Sequence, residues 1–121
     1  MRRKPGRLIP LEVSVLEAAV ALHRRGTTLF HGFLLAKVMK TASDSRLLTA
    51  HGTLYRALHR LERAKLIEAS WEDPHEAALE NRPRRRQYRL TALSETALRQ
   101  ARAEQRARGN LRRLKEGLGT P

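Results

Sequence analysis

The chain has 121 residues, with 25 lysines and arginines against 12 aspartates and glutamates, a formal net charge of +13 and no cysteine. That length fits one domain with at most an appended helix, and the missing cysteine excludes disulfides and thiolate metal sites. No apolar run is long enough to span a bilayer, and Glu12 and Glu17 interrupt the stretch behind the basic start, so no membrane helix or secretory leader is expected and the chain reads as cytoplasmic.

Residues 1–7 form a basic arm containing Pro5 and Gly6, expected to be flexible. Pro10 suits the first turn of a helix, where its missing N–H costs nothing. Val13, Leu16 and Val20 then recur at helical spacing, with Val15, Ala19 and Leu22 beside them, and Gly26 predicts an end near Arg25. After a connector at 27–29, Phe30, Leu34 and Val38 give the stripe of a second helix reaching about Lys40. Residues 42–46 are polar and turn-like, and Thr49 is a candidate N-cap for a third helix.

That third helix carries Leu54, Leu58 and Leu61 on one face, with Ala57 at its edge, and Gly52, Arg56, His59, Arg60 and Arg63 on the other. Ile67, Ala69 and Trp71 alternate with Glu68, Ser70 and Glu72, the period-2 pattern of a half-buried strand. Tyr88 and Leu90 alternate with Gln87 and Arg89 in a partner strand. The interval 73–85 is too long for a tight hairpin, and Glu76-Ala-Ala-Leu-Glu80 within it could form a helical turn. Trp71, the only tryptophan, reads as core packing under this wing. A further helix runs from about Thr91 to Lys115. Leu93, Ala97, Ala101, Ala107, Leu111, Leu114 and Leu118 trace a narrow heptad-like stripe on it, suited to packing against a second chain. A domain of this size also gains stability by oligomerising.

Charge is distributed in blocks. Residues 1–7 carry four positive charges, 46–65 carry five against one carboxylate, 82–89 carry five, and 99–115 carry seven against one. Between them, 68–80 carry five carboxylates and no lysine or arginine. Basic blocks separated by an acidic interval indicate a polyanion met at chosen places. A basic helix followed by a basic hairpin arm is the arrangement of a winged helix-turn-helix. The predicted fold is therefore mainly α with a small two-stranded β-wing, divided into the arm at 1–7, a winged helix-turn-helix at 8–91 and a C-terminal dimerisation helix at 92–118.

On that fold, Arg56 is the leading candidate for base readout, because arginine can bind guanine O6 and N7 with two hydrogen bonds. His59, Arg60 and Arg63 are further readers or phosphate contacts, and Gly52 with Thr53 would let the helix start approach the backbone. Arg84, Arg85 and Arg86 would straddle the backbone or enter the adjacent minor groove. Tyr55 lies between the two faces, free either to give its hydroxyl to a phosphate or to finish the core. No Gly-rich phosphate loop and no HxxxH pair occurs, so catalysis, a metal and a cofactor are not expected. Two other classes fit the charge pattern: a non-specific or architectural nucleic-acid binder, and a protein–protein adaptor using the same fold. The low aromatic content, 4%, argues against a stacking platform for single strands.

The runs His51-Gly-Thr-Leu-Tyr-Arg-Ala-Leu-His-Arg-Leu-Glu62, Leu66-Ile67, Tyr88-Arg-Leu-Thr91 and His31-Gly-Phe-Leu-Leu-Ala-Lys37 resemble, in order, the motifs of the PadR family of bacterial transcriptional regulators, across residues 11–98. The resemblance implies a homodimeric repressor on double-stranded DNA with a two-fold symmetric operator, contacts from Thr49, His51 and the residues just named, and the phosphate role for Tyr55. Three features depart from the family pattern. Lys65 and Ser94 stand where glycines are usual, which predicts a displaced turn at Lys65. The terminal helix also lacks the aromatics with which some relatives line a drug-binding pore, so a small-molecule effector has no support in these residues.

Overall fold

The computed structural model describes residues 7–41 and 51–119; the arm at 1–6 and the expected turn and N-cap at 42–50, Thr49 included, lie outside the described residues. The elements are α1 (Pro10–Arg24), β1 (Phe30–His31), α2 (Gly32–Thr41), α3 (His51–Arg63), β2 (Ile67–Trp71), α4 (Pro74–Leu79), β3 (Arg86–Leu90) and α5 (Ser94–Gly119). Helices dominate, and the three strands form one antiparallel sheet in the order β1-β3-β2.

α1 begins at Pro10, as its fixed φ favours. Ile9 offers no side-chain acceptor, so only half of a capping box forms: its N–H donates to Glu12 Oε1 at 3.2 Å. The helix ends in a Schellman motif, with Gly26 at φ +93° and bonds from Gly26 N to His23 O (3.0 Å) and Thr27 N to Leu22 O (2.9 Å). Rather than burying one stripe, α1 is buried on nearly every side, because α2, α3, α5 and β3 all pack on it. Leu16 and Ala19 lie at its centre, and Phe30, Leu35, Leu54, Leu58, Leu61, Ile67, Tyr88 and Leu98 complete the same core.

Residues Phe30 and His31, expected to open the second helix, instead pair with Tyr88 and Gln87 as a third strand of the sheet. Phe30 satisfies helical spacing with Leu34 and Val38, so only its partner across the sheet reveals the strand. α2 starts at Gly32, two residues later than expected, where His31 Nδ1 accepts the Leu34 N–H at 3.2 Å. That bond uses the neutral imidazole as the cap. Burial, and then Arg85, lower the His31 pKa and keep it in that form.

α3 ends in a second Schellman motif, with bonds from Lys65 N to Glu62 O and Leu66 N to Leu61 O, both 3.0 Å. The turn is not displaced: Lys65 itself takes the left-handed conformation, φ +63°. A side chain there costs roughly 1–2 kcal/mol. Thr91 holds the turn closed, its Oγ1 donating to Lys65 O at 2.8 Å and its N–H to Leu66 O at 3.1 Å. Ser94 serves the same corner, its hydroxyl donating to Thr91 O at 2.8 Å.

β2 and β3 pair from Ile67↔Leu90 to Trp71↔Arg86. The stretch between them contains the helical turn that the sequence suggested. Asp73 caps α4 by accepting His75 N–H at 2.8 Å, and Asn81 at φ +53° ends it, a residue type that tolerates that conformation. At the base of the wing, buried Glu72 receives both terminal nitrogens of Arg82, Nη2 to Oε2 at 2.7 Å and Nη1 to Oε1. Arg82 Nε also reaches Glu80 at 2.7 Å, and the Arg85 N–H donates to Glu72 Oε1 at 3.3 Å. The acidic interval read in the sequence is thus partly the counter-charge that closes the wing.

Arg82 is the main cause holding the Glu72 carboxyl down to about 2, from the ordinary 4.5. The open wing would take up that proton near 4.5 and the closed wing only near 2. This stabilisation is therefore complete above 4.5 and is lost as pH falls toward 2. Trp71, one residue away, should report it: its emission changes over that interval in the parent. In Glu72→Gln that acid step disappears, and the wing is already loosened at neutral pH.

α5 has two unlike halves. Leu98 and Ala101 are buried and Ala97 half-buried against α1, with Arg102–Glu17 (3.9 Å) and Arg7–Glu104 (3.7 Å) alongside. Ala97 and Ala101, assigned by the heptad reading to a second chain, therefore belong to the core of their own chain. Leu98, which the stripe passes over, is the buried anchor. Beyond Glu104 the described side chains are exposed, Ala107, Leu111 and Leu114 among them, while Leu118's side chain lies outside the described set. Leu93 is also exposed, in the turn before the helix. At 1.5 Å per residue the 26 residues of α5 extend about 39 Å, well past α1. No described helix is long and apolar enough to cross a membrane.

Candidate nucleic-acid interface

α3 is held by its apolar face: Leu54, Ala57, Leu58 and Leu61 are fully buried. The 3.6-residue period then requires the intervening positions to face outward, and Gly52, Tyr55, Arg56, His59 and Arg63 are exposed, with Thr53 partly so. Nothing is described of the His51 side chain. Among the described residues no carboxylate pairs with Arg56, His59 or Arg63. Their donors remain available along one edge about two turns long.

A Cβ on Gly52 would meet only Arg56 Nη2, at 3.8 Å, an ordinary contact. Gly52 is therefore not demanded by packing within the chain, and its smallness leaves the helix start open to a partner. Gly32 is different. A Cβ there would lie 2.9 Å from Tyr55 Cζ and Oη. Tyr55 lies across the first residue of α2 and is 45% exposed. It neither joins the core nor stands free; it bridges the starts of the two helices.

Arg60 departs from the other outward residues. Its Nε donates to Glu12 Oε2 at 2.6 Å, and the Glu12 side chain is only 2% exposed. The guanidinium is engaged inward, fastening α3 to the start of α1. Glu12 was legible in the sequence only as a charge in a first turn, because its partner lies 48 residues away.

The three wing arginines separate as well. Arg85 turns toward Glu72, Nη2 to Oε2 at 3.7 Å, and its Nε is buried. Arg86 donates through Nη2 to Glu62 on α3 at 3.2 Å. Arg84 alone is exposed without a described acidic partner. Trp71, expected in the core, is 56% exposed instead, with Arg84 and Arg86 above its ring. Trp71 stands outside the cluster of buried core residues, and the two guanidiniums lie over its ring. The result is a basic edge on α3 beside a wing that presents one free arginine and an indole.

Residues 22–100 match the family described as the transcriptional regulator PadR-like family. The chain belongs to this PadR-like family of transcriptional regulators. The match spans α2, α3, both wing strands and the start of α5, the elements that build the edge just described. Solved structures share the fold. A PadR family transcription regulator from Clostridium difficile superposes with a TM-score of 0.64 at 21% identity, covering 90% of this chain and 98% of that one. A transcriptional regulator from Clostridium thermocellum also gives 0.64, at 20% identity and 84% coverage of each chain. A PadR family regulator from Eggerthella lenta gives 0.59 at 21% identity, covering 88% and 82%. No curated protein sequence matches the chain.

Proposed function

We propose that this PadR-like regulator is a homodimeric, sequence-specific repressor that binds duplex DNA through α3 and the wing. The observation that carries the reading is the division of α3: four fully buried apolar residues fix it, and Arg56, His59 and Arg63 stand exposed along the opposite edge. An edge of that width and donor content fits the major groove. Arg56 reads a base, while His59 and Arg63 meet base edges or phosphates. Thr53, the α3 start at Gly52 and Tyr55 approach the backbone, and Arg84 supplies the wing contact.

The far half of α5 supports the dimer. Leu111 and Leu114 are exposed on a helix running beyond its own domain, and a second copy would cover them. Two-fold pairing sets two α3 helices against half-sites about 34–36 Å apart. Repression rests on the family resemblance. The test is competition at fixed moderate salt among a duplex recovered from bound genomic fragments, random duplex and RNA. The recovered duplex should bind at least about 10³-fold more tightly than random duplex. Equal affinities would make the protein a general polyanion binder, and no retention on any of them would favour the adaptor.

A further inference from the structure

Trp71 is the large side chain that the core does not account for. It ends β2 on the face that Ile67 turns inward, directly opposite Arg86, yet more than half of it is exposed. The guanidinium carbons of Arg84 and Arg86 lie 5.8 and 5.4 Å from its ring centroid. The two arginines differ in what else they touch. Arg86 donates to Glu62 on α3. Arg84, preceding the strand, has neither an acidic partner nor a hydrogen-bond acceptor among the described residues.

We propose that Trp71 is a positioning residue for DNA binding: it orients Arg84 toward a backbone phosphate while Arg86 ties the same indole to α3. The inference rests on the DNA-binding reading above. A guanidinium held against an indole face is attracted by the ring quadrupole, which orders its plane without consuming its donors. The ordered fork then meets a phosphate with less entropy left to lose. Glu62, Arg86, Trp71 and Arg84 form a continuous chain of contacts from α3 through both strands to the returning side of the wing. That chain sets where Arg84 stands relative to the edge of α3, so helix and wing engage one duplex in register. Arg86 cannot serve as the phosphate contact in the same way, because one of its nitrogens is already given to Glu62.

The test uses the full chain and a duplex it retains, titrated over a salt series, with Trp71→Leu, Trp71→Phe, Arg84→Ala, the double variant Trp71→Leu/Arg84→Ala, and Arg56→Ala. Trp71→Leu should weaken binding roughly three- to tenfold at moderate salt, the size of a cation–indole contact. It should also lower the salt slope by about one, as Arg84→Ala does. Trp71→Phe restores most of the loss, and the double variant binds no worse than Arg84→Ala. An unchanged slope in Trp71→Leu, or losses that multiply in the double variant, overturns the inference, provided Arg56→Ala still impairs binding. Should Arg56→Ala and Arg84→Ala both bind like the parent, the DNA reading itself has failed. A second readout needs no variant: bound duplex should shield the single tryptophan from acrylamide quenching, and unaltered quenching also overturns the inference.

Discussion

Arg60→Ala is expected to destabilise the protein by about 2–3 kcal/mol, more than any other exchange on the outward side of α3. The Glu12 carboxylate is 2% exposed, and its donors include the Ile9 N–H at 3.2 Å and Arg60 Nε at 2.6 Å. Removing Arg60 takes from that buried charge the shorter of these two donors. The figure lies below the range for a fully buried pair because Arg60 is 36% exposed, so water already screens part of the attraction. Glu12→Gln should cost less, about 1 kcal/mol, because the amide still accepts from Ile9 and the freed guanidinium can turn to solvent. Replacing both residues by leucine should recover part of the loss. Urea melts on the three variants measure this order, and a drop in melting temperature on the order of 10 °C should accompany Arg60→Ala. If Arg60→Ala melts like the parent yet loses salt-dependent affinity for DNA, Arg60 is a phosphate contact and not a fastening.

Arg56→Ala should show the opposite pattern: stability within about 0.5 kcal/mol of the parent, as for other exposed positions, and a large loss in recognition. Arg56 lies over Gly52 at the start of α3, and among the described residues no carboxylate pairs with it. On the proposed DNA-binding reading, that side chain would reach a guanine in the major groove. Its loss should cost roughly 1–3 kcal/mol and relax preference at a single base pair, leaving other positions unchanged. Arg63→Ala, further along the same edge, should weaken all duplexes alike. A binding-site selection performed on parent and Arg56→Ala reads the difference directly. Identical selected sites would move the reading edge away from Arg56.

Much of the fold was legible along the chain. Pro10 and Gly26 bounded α1, and the spacing of Leu54, Leu58 and Leu61 placed α3 with its inward face correct. The alternation at 67–71 and 87–90 placed both wing strands. Each of those signals is local, because side-chain direction repeats every 3.6 residues in a helix and every two in a strand. The motifs that carry the family are equally local, and they lie within the matched residues 22–100.

The candidate site was legible as a surface but not as a set of contacts. Arg56, His59, Arg60 and Arg63 look alike in sequence, and so do Arg84, Arg85 and Arg86. What separates them is the position of carboxylates distant in the chain: Glu12 claims Arg60, Glu72 faces Arg85, and Glu62 holds Arg86. The same limit explains β1, whose strand character depends on Tyr88 and Gln87 and not on its own two residues. It explains α5 too, where Ala97 and Ala101 share a stripe with Leu111 and Leu114 but only the first pair lies alongside α1.

The sequence by itself therefore determined the long helices and the two wing strands, which face of α3 is apolar, and the family. The tertiary structure decided which charges are spent inside the fold, which half of α5 is left uncovered, and that Trp71 lies outside the core beneath two arginines. The division has a physical origin. Backbone conformation and amphipathicity follow from neighbours within a few residues, whereas ion pairing and burial depend on distance through space, which only the folded chain defines.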